Sequence, residues 1–128
     1  ELEHCCARIG RCAPGDAVIT PGFGLFALWV IHAVGPIWQG GHAGEDEILA
    51  RAYRRALELA SDHEITTIAF PAISTGIFGF PPLRAAHVAT RAITRFLVRN
   101  RLPLQVELCC FTPDSAQLHR RALAELPA

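Results

Sequence analysis

The residues best placed to do chemistry lie in the stretch Ile73-Ser74-Thr75-Gly76-Ile77-Phe78-Gly79-Phe80-Pro81. It stands between an apolar run and a long helical pattern. Gly76 and Gly79 allow φ > 0 and let a ligand approach the main chain. Successive N–H groups in that conformation form a concave anion site, and a diphosphate is its natural occupant. Phe78 and Phe80 would supply flat apolar surface for a sugar or a base. The alternative is a tight turn from strand to helix whose aromatics belong to the core. The stretch is neither a Walker loop nor G-x-G-x-x-G, so motif rules do not choose between the two. A main-chain anion site needs no lysine, and the chain has none: all twelve basic residues are Arg. Schiff-base and lysine-base chemistry within this chain are thereby excluded.

Other reactive residue types read more simply. Ser74 lacks the G-x-S-x-G elbow and has no evident His–acid partner, so it is not read as a nucleophile. His32 sits in an apolar run and reads as a neutral, hydrogen-bonded core histidine. Asp16 follows Gly15 and serves a turn. Trp29 and Trp38 read as packing residues. His42, in a Gly-rich loop, faces either ligand or solvent. His4, Cys5, Cys6 and Cys12 match no usual zinc spacing, and no metal is expected. The five cysteines are an odd number and include the adjacent pairs Cys5-Cys6 and Cys109-Cys110, which implies a reducing, cytoplasmic setting without a disulfide framework. Cys109-Cys110 ends an apolar run and reads as a pair of small hydrophobes.

The elements that must position these residues follow from periodicity. Helix is expected for residues 2–9, stopped by Gly10, and a turn over "CAPGD". Residues 17–20 form a short strand. "LWVIHAV" (28–34), 66–72 and 104–111 are nearly continuous apolar runs, expected as strands buried on both faces. Residues 45–61 carry Ile48, Leu49, Ala52, Tyr53, Ala56, Leu57 and Ala60 at helical spacing, with acids in the first turn. Residues 82–99 carry Ala85, Ala86, Ala89, Ala92, Ile93, Phe96 and Leu97, with Pro82 at the first helical position. A closing helix is expected over 115–126 with Asp114 as N-cap. Helices alternating with apolar strands indicate an α/β sheet covered on both faces.

Composition bounds the function. The 128 residues suit one domain, and 51% apolar against 19% charged residues indicates a well-buried chain. Zero formal net charge argues against a nucleic-acid partner. No apolar run approaches the roughly 20 residues of a membrane span.

Three stretches, "APGDAVITPGFGLFALWVIHAVGPIW", "EILARAYRRALELA" and "TTIAFPAISTGIFGFPPLRAAHVA", resemble a macro domain of the MacroD-type, Appr-1-p-processing branch. The resemblance covers nearly the whole chain and implies a three-layer α/β/α mixed sheet that binds ADP-ribose. Many members remove ADP-ribose from modified proteins or deacetylate O-acetyl-ADP-ribose, acting as hydrolases through an activated water. Others are readers that bind without turnover. The resemblance implies that Ser74, Thr75, Gly76, Ile77, Phe78 and Gly79 form the phosphate-gripping loop. It implies that Phe78 packs on the distal ribose, and that Phe111 and Thr112 line the adenine pocket. No cofactor is implied, and the expected partners are ADP-ribose or an ADP-ribosylated protein, with neither nucleic acid nor membrane.

A chain that begins at Glu1 and contains no Met is expected to be part of a longer one, a single macro domain incomplete at its N-terminus. The family's Asn-Ala-Ala-Asn strand end, its first Gly-rich loop with the catalytic Asp, and its adenine-reading acid have no match here. The catalytic residues are therefore expected upstream of Glu1, and these 128 residues alone are expected to be inactive. By the same analogy a family strand belongs between runs 28–34 and 66–72. The two are expected either to flank a gap of roughly 9–10 Å, two spacings of about 4.8 Å, or to pair directly. The gap is the favoured expectation.

Overall fold

The computed structural model describes residues 12–22, 29–75, 78–109 and 113–126. Seven elements follow one another: β1 (Ala17–Pro21), β2 (Trp29–Ala33), α1 (Glu45–Asp62), β3 (Thr67–Phe70), α2 (Pro82–Arg99), β4 (Gln105–Leu108) and α3 (Pro113–Ala124). The helix expected over 2–9 lies outside the described residues. The α/β alternation is present, and α2 runs from Pro82 as its sequence demands. Asp114 lies in the first turn of α3 instead of capping it, because the helix already begins at Pro113.

Among the described residues the strands form two pairs instead of one continuous ladder. β1 and β2 are antiparallel, with Val18 opposite His32 and Thr20 opposite Val30. β3 and β4 are parallel, with Thr67 opposite Gln105 and Phe70 opposite Leu108. β2 and β3 do not pair. A slot of about 860 Å³ lies between them, lined by Trp29–Ala33 on one side and Thr66–Phe70 on the other. β1 and β4 hold the outer edges, so the free edges of β2 and β3 face each other across the slot.

The expectation of doubly buried strands fails. Thr67 and Ala69 of β3, and Gln105 and Glu107 of β4, are exposed, and β2 is half-buried with Trp29 exposed. A strand's residues alternate between faces, and the described residues cover only one face of the β3–β4 pair. Cys109 falls on the open face with Gln105 and Glu107 and is exposed, so it is not the buried hydrophobe its apolar run suggested.

The core forms where helical stripes meet the strands. Leu49, Tyr53, Ala56 and Leu57 of α1 pack with Ala85, Ala89, Ile93 and Phe96 of α2, and with Ala17, Phe70 and Phe80. The alanines let α1 and α2 approach closely, ridge into groove. Thr90 was absent from the expected stripe yet is buried; its hydroxyl donates to the Ala86 carbonyl at 2.9 Å, which removes the cost of burying it. Tyr53 is buried with its hydroxyl directed at the end of β3. It donates to the Pro71 carbonyl at 3.5 Å and accepts from the Ile73 N–H at 3.3 Å. The helix core thus fixes the point where the candidate loop begins.

Leu57→Ala, at a fully buried site, is expected to lower unfolding free energy by about 2–5 kcal/mol. Leu104→Ala, at a site 72% exposed, is expected to change it by less than about 0.5 kcal/mol. Urea unfolding of both variants makes the comparison, and equal losses would contradict this placement of the core.

Candidate functional site

Two loops meet at one end of the molecule. The first follows β2 and runs to α1 (34–44); the second follows β3 and runs to α2 (71–81). Ligands of open α/β sheets bind beyond the carboxyl ends of strands, and both loops leave such ends.

The second loop holds the residues singled out by sequence. Ser74 has φ 67 and Gly79 φ 74, both in the left-handed region. Gly79 adopts that conformation freely, whereas Ser74 does so against a steric penalty, a form of strain concentrated at functional sites. The chain is held there by its own hydrogen bonds. The Phe80 N–H donates to the Ser74 carbonyl at 3.0 Å, and the Thr75 hydroxyl donates to the Ala72 carbonyl at 3.2 Å. In contrast, the N–H groups of Ser74, Thr75, Phe78 and Gly79 have no acceptor among the described residues. Backbone N–H groups rarely go unpaired unless water or a ligand takes them. Gly76 and Ile77, expected in the same cradle, lie outside the described residues, as do Phe111 and Thr112, expected at the adenine pocket.

The structure separates the two aromatics. Phe78 is 36% exposed at the mouth of the loop, where an aromatic face is free to stack. Phe80 is 1% exposed and belongs to the core, so its expected role as a ligand surface is corrected. It packs on Trp38, with ring centroids 4.9 Å apart. Trp38 is thus the packing residue expected from sequence, and it also joins the loops, because its N–H donates to the Phe78 carbonyl at 2.8 Å.

Gly35 makes the second junction. A Cβ there would overlap the Ser74 hydroxyl and the Ile73 side chain, so only glycine lets the loops come this close. The Ser74 hydroxyl oxygen is buried and has no hydrogen-bond partner among the described residues. It faces Gly35, not a histidine or an acid, which agrees with the reading that it is no nucleophile. Sequence marked Gly35 only as a strand stop; nothing local in "VGP" shows which residue will arrive from forty positions away.

Glu45 is the residue that sequence reasoning passed over. It was read only as the residue where the helix starts, ahead of the first-turn acids Asp46 and Glu47, yet it is 2% exposed. Its carboxylate accepts N–H bonds from Gln39 and Gly41 through one oxygen, at 2.8 and 2.9 Å, and from Ala43 through the other, at 2.7 Å. The bond from Gln39, then those from Gly41 and Ala43, outweigh burial and hold its pKa at about 2. The first loop is therefore wrapped around a permanent anion. Arg84 of α2 clamps the outside, reaching Asp46 with two bonds of 2.8 and 2.9 Å and lying 4.9 Å over the Trp38 ring.

The remaining candidates stay outside this junction. His32 bonds the Thr20 hydroxyl at 2.9 Å across the β1–β2 pair, as a structural histidine should. Asp16 accepts from its neighbour's N–H, Ala17, at 2.8 Å and closes the turn. Trp29 is 39% exposed and stands edge-on to His63 beside the slot, so it is less a packing residue than expected. His42 is exposed. His4, Cys5 and Cys6 lie outside the described residues.

Comparison with known proteins places the chain in a family. Residues 1–89 match the Macro domain family, and the chain belongs to it. A macro domain-containing protein of Methanosarcina mazei is 50% identical over 121 residues, 94% of this chain and 65% of that protein. The O-acetyl-ADP-ribose deacetylase of Salmonella typhimurium is 47% identical over 91% of this chain and 65% of its own length. Among solved structures, an Oceanobacillus iheyensis macrodomain variant with ADPR superposes with a TM-score of 0.88 at 33% identity, over 96% of this chain and 69% of that one. A Trypanosoma brucei macrodomain in complex with ADP-ribose gives 0.84 at 28% identity, over 95% and 51%. The chain thus spans about two thirds of the first curated relative.

The Glu45 bonds carry a pH signature. A carboxylate whose pKa is depressed on folding stabilises the fold fully above its ordinary value of 4.5. That stabilisation is lost as pH falls from there toward about 2. Glu45→Gln presents an amide NH₂ to backbone donors. It is expected to be less stable than the native chain at pH 7 and to show a flatter stability profile across that acid window. Urea midpoints at pH 7, 4.5 and 3 measure it, and parallel profiles for the two proteins would contradict the role given to Glu45.

Proposed function

We propose that this macro domain binds ADP-ribose with its diphosphate on the 73–80 loop and its distal ribose against Phe78. The observation that carries the reading is that the N–H groups of Ser74, Thr75, Phe78 and Gly79 have no acceptor among the described residues, beside an exposed aromatic side chain. The start of α2 supports it. That helix has no acid in its first turn, whereas α1 has three, so the positive end of α2 is left for an anion. The solved relatives with ADPR or ADP-ribose bound support the choice of ligand.

For the complete domain we propose a hydrolase: a water molecule cleaves either the ester of O-acetyl-ADP-ribose, giving acetate and ADP-ribose, or the bond joining ADP-ribose to a protein. The deacetylases at 47% identity support this class. A second reading, a reader without turnover, is favoured by one observation. Glu45 is the single acid buried among the described residues, and its oxygens are occupied by three main-chain donors. An RNA-binding role ranks below both, because zero net charge offers no general attraction for a polyanion.

Phe78→Ala is expected to weaken ADP-ribose binding by about 1–3 kcal/mol through loss of one stacked face. Adenosine, which lacks both phosphates and the distal ribose, is expected to bind the native chain far more weakly than ADP-ribose and to be insensitive to this change. Titration of both ligands against both proteins gives the four affinities. Unchanged ADP-ribose affinity in the variant would remove Phe78 from the site, and equal native affinities for the two ligands would remove the diphosphate.

A further inference from the structure

A groove runs between α1 and α2 on the outside of the molecule. Two contiguous hollows of about 760 and 560 Å³ make it up, sharing Ala50, Ala92 and Arg95. Each flanking helix has 18 residues, so the groove is bounded by walls of about 27 Å. Its floor is apolar in the middle, where Ala50, Val88 and Ala92 lie half-buried.

Charge is unevenly distributed along it. Acids lie only toward the ends, Asp46 and Glu47 at one and Glu58 and Asp62 at the other. Arg84 pairs with Asp46, and Arg55 with Glu58. Arg54, Arg91 and Arg95 occupy the middle, and Arg99 lines the hollow that holds Glu58 and Asp62; all four are exposed and carry no ion pair among the described residues. Nearby Glu125 is engaged by His87 and Arg121. Three unpaired arginines around an apolar floor are unlike an ordinary solvated helix face, where opposite charges interleave.

We propose that this groove docks an amphipathic helical segment of a partner protein, with acidic residues in its central turns. Arg91 and Arg95 are one helical turn apart, about 6 Å of rise, which matches acids spaced i, i+4 on a docked helix. Guanidinium forks grip carboxylates in pairs of parallel bonds. The apolar floor receives the alternate face of the segment, the helix-in-groove mode of recognition. A nucleic-acid backbone fits less well. Its phosphates would run past the acids at both ends, and it has no apolar face to set on Ala50, Val88 and Ala92. The groove begins at Pro81 and Arg84, directly after the 73–80 loop, yet its occupancy does not depend on what that loop binds.

The probe is a fluorescein-labelled 18-residue Leu/Glu amphipathic helix, titrated with the full chain and read by anisotropy. Saturable binding is expected. Arg91→Glu with Arg95→Glu is expected to weaken it at least tenfold, and Ala92→Glu likewise, by placing an acid in the floor. Arg120→Glu, an exposed arginine on α3 outside the groove, is expected to leave it unchanged. Circular dichroism melts identify any variant that fails to fold, and Arg54→Ala with Arg91→Ala, which only removes charge, then replaces it. A scrambled peptide of the same composition is expected to bind more weakly. Absence of saturation, equal binding by the groove variants and Arg120→Glu, or equal binding of the scrambled peptide would overturn the proposal. So would a 20-base-pair DNA duplex that binds as tightly as the peptide and is lost with Arg91 and Arg95, which would assign the groove to nucleic acid.

Discussion

The hydrogen bond from the Trp38 N–H to the Phe78 carbonyl, 2.8 Å long, joins two halves that their strands leave apart. β2 and β3 do not pair, and the slot between them separates their edges. The loops at their carboxyl ends are nevertheless in contact. Gly35 admits Ser74, Trp38 stacks on Phe80, and Arg84 covers Trp38 from outside. Each contact is modest alone, but they share residues, so loss of one loosens the others. The strained turn at Ser74 is held by the loop's own hydrogen bonds and lies against Gly35 of the first loop.

Electrostatics divide the labour between the helix starts. The first turn of α1 carries Glu45, Asp46 and Glu47, and Glu45 is turned inward to collect three N–H groups of its own loop. Three N–H groups of that loop are thereby given an acceptor in the helix that follows it. The loop before α2 has no such acid: the N–H groups of Ser74, Thr75, Phe78 and Gly79 have no acceptor among the described residues, and the first turn of α2 carries no acid. One loop brings its own anion, and the other is the one we propose to receive the ligand's.

Much of this was legible in the sequence. The stripes of α1 and α2 follow the 3.6-residue period, and the glycine and aromatic pattern of residues 73–81 marked the loop proposed to hold the ligand. What stayed hidden depends on residues far apart in the chain. Phe78 and Phe80 are equivalent in sequence, and only the folded chain places Phe80 in the core, against Trp38, and leaves Phe78 at the mouth. Glu45 reads like Asp46 and Glu47 until the backbone of Gln39–Ala43 curls back over it. Strand burial was overread, because an apolar run records a preference for cover and cannot say whether a neighbour supplies it. Thr67, Ala69 and Cys109 are exposed for that reason.

The central claim is that main-chain N–H groups of one loop, steadied by the other, are the anion receptor. Backbone amide chemical shifts of the ¹⁵N-labelled chain, followed residue by residue as ADP-ribose is added, test it most directly. The account predicts the largest shifts at Ser74, Thr75, Phe78 and Gly79, smaller ones at Trp38, and little change at Gln39, Gly41 and Ala43, whose donors are already bound to Glu45. Shifts confined to residues remote from both loops, or the same pattern with adenosine in place of ADP-ribose, would contradict it.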